Sequence, residues 1–273
     1  MAPITRLALV ATLVCSAFVN AAPVFAPAPA DAPAPALMGA PVAVGGEEGH
    51  ALFKRAPAAT VITRCTLPGT VAITFDDGPH IYTKGLLDNL RKKNAKVTFF
   101  INGENFGPLT QHSSVLKQML ADGHQIASHT WSHQDLATLK GAAIIQEMTK
   151  LEVALRAIIG KAPTFMRPPY GSTNALALTT LGNLGYKVIN WDQDTNDWQH
   201  TKDYKKSLDL YKTVLKKSSE LKKPGHIFLQ HDVHELTAKK VGPLAVDYAL
   251  SKGYKVVTVG TCLGIPESAW YKN

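Results

Sequence analysis

The sequence is poor in cysteine, with three in 273 residues. A disulfide-dense scaffold is therefore excluded, and a hydrophobic core has to carry the fold. No Asn-X-Ser/Thr sequon occurs, so no N-glycan is expected. There is no internal repeat, which sets repeat architectures aside. Acidic residues are the scarcer sign, 21 Asp and Glu against 29 Lys and Arg, for a net charge of +8. That excess lies outside residues 1–55, where the charges cancel, and much of it falls in KKSLDLYKTVLKKSSELKK at 205–223. Leu208, Tyr211 and Leu215 recur there at helical spacing, so the lysines read as the solvated faces of a helix. No aromatic or arginine motif accompanies them, and a nucleic-acid partner is not expected.

Long apolar runs are also scarce. The one present, residues 7–19, follows a single arginine and leads into small residues. It is too short to cross a bilayer and reads as a secretory signal over 1–21, with no transmembrane segment elsewhere. Residues 22–55 are rich in Ala, Pro and Gly without a sustained period, and end in the dibasic pair Lys54-Arg55. They read as a propeptide or linker. The remaining 56–273 form one domain. Cys15 leaves with the signal, and Cys65 and Cys262 stand at the two ends of that domain. An even count in an oxidising compartment predicts a disulfide between them.

From residue 71 strand and helix patterns alternate. Strands are expected at VAITF, KVTFFIN, QIASH, TFMRPPY (stopped by Pro168), KVINW, GHIFLQH and KVVTVG, with amphipathic helices between them. Seven such alternations predict an α/β fold with a parallel sheet and helices outside. The apolar strands fit burial on both faces. A closed or nearly closed (β/α) barrel is the first expectation and an open doubly wound sheet the second. In either case the site belongs at the strand C-termini.

Ionisable residues do follow the strands. TFDDGPH places Asp76 and Asp77 after the first, and SHTWSH places His129 and His133 after the third. RPPYG follows the fourth, DQDTNDW the fifth, and QHD with His231 the sixth. On a helical turn, His129 and His133 would share a face and could bind one cation together with a carboxylate, a familiar catalytic zinc set. Thr130 stands where a zincin carries its glutamate, so the base must come from elsewhere. The paired aspartates can supply it, one holding the cation and the other accepting a proton from water. Read alone, Asp-Asp-Gly-Pro is equally a solvated turn. His80, His112, His124, His200, His226 and His234 read as surface or supporting groups.

Taken in order, TFDDGP, HTWSH, RPPYG, DTNDW and LQHD resemble the five motifs of the polysaccharide deacetylases of carbohydrate esterase family four. The resemblance covers about residues 65–264, and LQHDVHELT and the C-terminal stretch resemble secreted fungal chitin deacetylases in particular. It implies a distorted barrel of about seven parallel strands. It implies Asp76 as general base, and Asp77, His129 and His133 as ligands of Zn2+, with Co2+ or another divalent cation an alternative. Arg167 would hold Asp76 ionised, and the Tyr170 amide would stabilise an oxyanion. His231 would be the general acid, tuned by Asp194, with Asp197 left open as the tuning residue. Trp198 would wall the groove and Leu229 would line an acetyl pocket. The implied reaction is metal-dependent hydrolysis of N-acetyl groups of chitin or chito-oligosaccharides. Acetylxylan or peptidoglycan deacetylation, or a catalytically silent carbohydrate-binding wall protein, are the alternatives. A monomer acting outside the cell or in the cell wall is expected.

Overall fold

The computed structural model describes residues 56–215 and 221–272. The expected signal and propeptide, residues 1–55, lie outside the described residues. Among those described, no helix is long and apolar enough to cross a membrane.

In chain order the strands are β1 (Val61–Ile62), β2 (Arg64–Pro68), β3 (Thr70–Asp76), β4 (Thr98–Ile101), β5 (Gln125–Ser128), β6 (Ala162–Pro163), β7 (Phe165–Met166), β8 (Lys187–Ile189), β9 (Gln193–Asp194), β10 (Pro224–His231), β11 (Lys255–Val256) and β12 (Tyr271–Lys272). The helices are α1 (Thr83–Lys92), α2 (Ser113–Ala121), α3 (Gly141–Ile159), α4 (Ala175–Asn183), α5 (Tyr204–Val214), α6 (Gly242–Ser251) and the short α7 (Val259–Cys262).

The main sheet runs β1-β8-β7-β5-β4-β3-β10-β2, with β11 on β3 and β9 on β10. All of its pairs are parallel except β2 with β10. Beyond β8 the chain crosses to β10. The Asp192 N–H donates to Ile227 O, and β9 pairs in parallel with Phe228 and Leu229. This crossing nearly closes the sheet into a barrel, the first of the two expected architectures.

The helices form because each has an apolar stripe to bury. In α1 the buried residues Thr83, Leu86, Leu87 and Leu90 follow the helical period. Helix α3 ends at Gly160, whose φ of 71° suits a residue without a Cβ. Helix α4 starts at Asn174, whose Oδ1 accepts from the Ala177 N–H at 2.8 Å.

Period-two alternation sorts the strand side chains. Val71, Ile73 and Phe75 of β3 join the large cluster under the helices, whereas Ala72 packs with Phe100, Ala127, Phe165, Ile189 and Ile227 in a second cluster. The same parity, continued to the strand ends, brings Asp76, His129, Arg167 and His231 inward. At the other end, α7 closes the interior. Its Val259 and Gly260 N–H groups donate to Thr98 Oγ1 and Gln125 Oε1 at 2.8 and 2.9 Å. The predicted disulfide is present: Cys65 of β2 is bonded to Cys262 of α7 across 197 residues.

Two local expectations change, and the expected stop at Pro168 holds. The last strand is only Lys255–Val256, because the Thr258 side chain accepts from the Thr261 N–H and starts α7. The strand around Arg167 stops at Met166, since Pro168 and Pro169 cannot donate to a ladder. His129 and His133 do not sit on a helix. Thr130 and His133 have φ of 72° and 57°, and the chain there is a turn.

Candidate metal centre and active site

Asp76 is the last residue of β3 and 2% exposed. Its Oδ1 accepts from Arg167 Nη1 at 2.7 Å. Arg167 is fully buried, with its guanidinium 4.1 Å from the centre of the Phe100 ring. It also donates to Thr74 Oγ1 at 2.7 Å and to the carbonyls of Ile189 and Asn190. Every one of these partners lies at an inner strand end, so the arginine fills the top of the barrel interior and fixes one oxygen of Asp76. Burial raises the Asp76 carboxyl above its ordinary value, and the Arg167 charge acts against that rise.

Asp77 has a φ of 73°, unusual for a residue with a Cβ. Its Oδ1 lies 3.2 Å from His133 Nε2 and 3.6 Å from His129 Nε2. The three ligand atoms lie within 4.8 Å of one another. His129 Nδ1 is 2.8 Å from the Arg167 carbonyl, which fixes the proton there and leaves Nε2 as the free lone pair. Asn102 Nδ2 donates to the carbonyls of His129 and Thr130, and Glu147 of α3 accepts from the Ser132 N–H and hydroxyl. These contacts hold the turn that carries both imidazoles.

The donor set fits a divalent cation. Burial pushes Asp77 up to about 6, although neighbouring positive charge at His231 opposes it. Burial likewise lowers His129 and His133, so both rings stay neutral. Asp77 Oδ1 is buried and receives no hydrogen bond. A carboxylate facing two lone pairs with no donor is unfavourable unless a cation stands between them. Donors about 3.3 Å apart are what a tetrahedral ion with bonds of about 2.0–2.1 Å requires.

His231 ends β10 on the same pocket. Its Nδ1 lies 2.8 Å from Asp197 Oδ1, and its own N–H donates to Asp197 Oδ2 at 2.7 Å. Burial works against the imidazolium, but the Asp197 hydrogen bond and charge, with Asp76 and Asp77 adding to them, outweigh it. The ring is raised to about 9. The expected pairing of His231 with Asp194 is corrected here. Asp194 lies in β9, and its Oδ1 accepts from the Asn196 N–H at 2.8 Å in a local turn, with no hydrogen bond to His231 among the described residues. Asn196, with φ of 48°, then turns the chain so that the buried Asp197 reaches His231.

The other named residues converge as well. Asp194, Tyr170, Trp198 and Leu229 line the pocket with Asp76, Asp77, His129, His133 and His231. Tyr170 and Trp198 are exposed at 71% and 53%, whereas Leu229 is buried at its floor. The Tyr170 ring stands edge-on to His133, with centroids 4.8 Å apart. Trp191 and Pro168 also line the pocket and were not singled out from sequence. Their signal was their position beside the motif residues. Of the six histidines set aside, His124 is buried and accepts from the Val97 N–H, and His226 pairs with Asp192 at 2.6 Å.

Residues 63–189 match the family described as polysaccharide deacetylase. The chain is 51% identical over 217 residues to a chitin deacetylase of Pestalotiopsis sp, covering 80% of this chain and 71% of that protein. It is 46% identical over 220 residues to a probable peptidoglycan-N-acetylglucosamine deacetylase of Arthroderma benhamiae, covering 80% and 49%. The solved chitin deacetylase of Colletotrichum lindemuthianum superimposes with a TM-score of 0.76 at 41% identity, covering 79% of this chain and 96% of that one.

Proposed function

Because the chain belongs to the polysaccharide deacetylase family, we propose that it hydrolyses the N-acetyl groups of N-acetylglucosamine residues in chitin or chito-oligosaccharides. The products are chitosan and acetate. The observation that carries this reading is the combination of Asp77, His129 and His133 around one point, Asp76 held by Arg167, and His231 bonded to Asp197, all on one pocket.

Asp77, His129 and His133 would hold the cation, and Zn2+ would suit two imidazoles and a carboxylate best, with Co2+ or another divalent ion able to replace it. When bound, the cation polarises the amide carbonyl and makes water more acidic. Asp76 takes the proton of the attacking water at Oδ2, because Arg167 occupies Oδ1. The Tyr170 N–H donates to the oxygen that becomes negative. His231 is bonded to Asp197 through Nδ1, so its Nε2 gives a proton to the departing amine, a poor leaving group without it. Leu229 packs against the acetyl methyl group, and Trp198 offers an exposed ring face to a sugar.

The protein acts as a monomer outside the cell or in the wall, after loss of residues 1–21 and cleavage following Arg55. The Cys65–Cys262 bond supports an oxidising destination. The test is acetate release from N-acetylglucosamine oligomers, acetylxylan and peptidoglycan, each with and without chelator. Chelator-sensitive release from the oligomers is expected. Release only from acetylxylan or peptidoglycan would overturn the substrate, and release from none of them the activity.

A further inference from the structure

The Asp197 carboxylate receives a third hydrogen bond, and this one does not come from His231. Thr237 Oγ1 donates to Asp197 Oδ2 at 2.7 Å. Thr237 is the last residue of the stretch LQHDVHELT and is 2% exposed. It opens a wide helical turn, Thr237–Val241, that leads directly into α6. Such π turns are uncommon and occur often at functional sites. Pro243 lies just beyond and has no N–H to return to an earlier carbonyl, so the ordinary helical ladder cannot run through this stretch.

We propose that Thr237 is a positioning residue for proton donation: its hydroxyl fixes the Asp197 carboxylate in the orientation that aims His231 at the leaving nitrogen. The geometry requires such a holder. Asp197 follows the left-handed Asn196, and its carboxylate must keep Oδ1 on the ring Nδ1 while Oδ2 takes the His231 N–H. The Thr237 bond is the contact that ties this carboxylate to an element other than its own turn and the end of β10. Charged and titratable groups face His231 from several sides: Asp197 after β9, Asp76 and Asp77 at the end of β3, His129 and His133 after β5, and His234 on its own segment. Removing the hydroxyl changes none of these charges. It only lets the carboxylate turn.

This inference rests on the acid assignment proposed above. Thr237→Val keeps the side-chain shape and removes the donor, and Thr237→Ser restores the donor in a smaller side chain. In the zinc-loaded protein, Thr237→Val is expected to lower the basic limb of the kcat profile by about one pH unit, and kcat by about twofold at pH 8 and about fivefold at pH 9. KM, zinc content and near-ultraviolet circular dichroism stay as in the parent. Thr237→Ser returns the limb to its parent position. A Thr237→Val protein whose basic limb is unmoved, at whatever kcat, overturns the proposal, as does a serine variant that fails to restore the limb. If the parent protein releases no acetate from any substrate, the deacetylase reading fails instead. The His231 imidazole titration, followed by NMR in the parent and both variants, then decides the inference without turnover.

Discussion

Replacing Asp197 by asparagine tests the acid most directly. The carboxylate lies 2.8 Å from His231 Nδ1 and dominates the contributions that raise the ring to about 9 against the effect of burial. A raised folded value means that the protonated, donating form is present below about 9 and is lost above it. Asparagine removes the charge, and its single amide oxygen cannot accept from both the His231 ring and the His231 N–H, as the two carboxylate oxygens do. His231 then returns to about 6.5 or lower. At pH 8 the parent ring is about 90% protonated and the variant ring about 3%, a ratio of about 30, whereas at pH 6.5 the ratio is about 2. The prediction is a kcat deficit that grows with pH by this factor, measured as acetate release from a chito-oligosaccharide at saturating concentration. Asp194→Asn is the control, since that carboxylate serves the Asn196 N–H, and it should leave the position of the basic limb unchanged. A deficit for Asp197→Asn that is constant from pH 6.5 to 8 would refute the assignment, as would a limb shift produced by Asp194→Asn alone.

Three further outcomes follow from the same geometry. Asp76→Asn should lower kcat by about 10²- to 10⁴-fold while still binding one zinc, whereas His133→Ala should lose the zinc, both read by elemental analysis beside the assay. Arg167→Met leaves Asp76 buried without its partner and should destabilise the fold by about 3–5 kcal/mol in urea unfolding at neutral pH. A Cys65→Ser, Cys262→Ser double variant reopens a 197-residue loop and should lose about 5 kcal/mol in the chain-entropy model, by the same measurement.

Periodicity was enough to read β3, β4 and β5, in which every residue is buried, but not the two-residue parallel strands β1 and β9. It was not enough to show β2, whose antiparallel pairing with β10 depends on a long return of the chain that no local pattern encodes. The site residues could be read as types at strand ends, and the pairing of Arg167 with Asp76 came with the motifs, but the partner of His231 could not be read. Asp194 and Asp197 are both carboxylates on one loop, and only the turn at Asn196 decides which reaches His231. His129 and His133 suggested a helix by spacing, yet the left-handed Thr130 and His133 build a turn instead. A non-glycine residue in that region leaves no mark in composition. Five such residues, Asp77, Thr130, His133, Tyr170 and Asn196, lie in or beside the pocket.

That strain explains how two neighbouring aspartates serve one site. Along an extended strand successive side chains point to opposite faces, so Asp76 and Asp77 in regular β3 geometry could not both face the pocket. Asp76 obeys the alternation and turns inward to Arg167. Asp77 breaks it at a φ of 73°, which brings its carboxylate to the imidazoles instead of the helix layer. The departure costs on the order of 1–2 kcal/mol and persists because the surrounding contacts leave no alternative. Gly78 follows, so close to the buried Asp232 that an added Cβ would lie 2.4 Å from its carboxylate. The Thr83 hydroxyl donates to Asp232 and accepts from the His80 N–H, which ties the far side of the turn. The two carboxylates are thus separated by backbone geometry before any cation binds. One is held as an ion pair in the barrel interior and keeps an oxygen free for a proton. The other is left without a donor, facing two lone pairs.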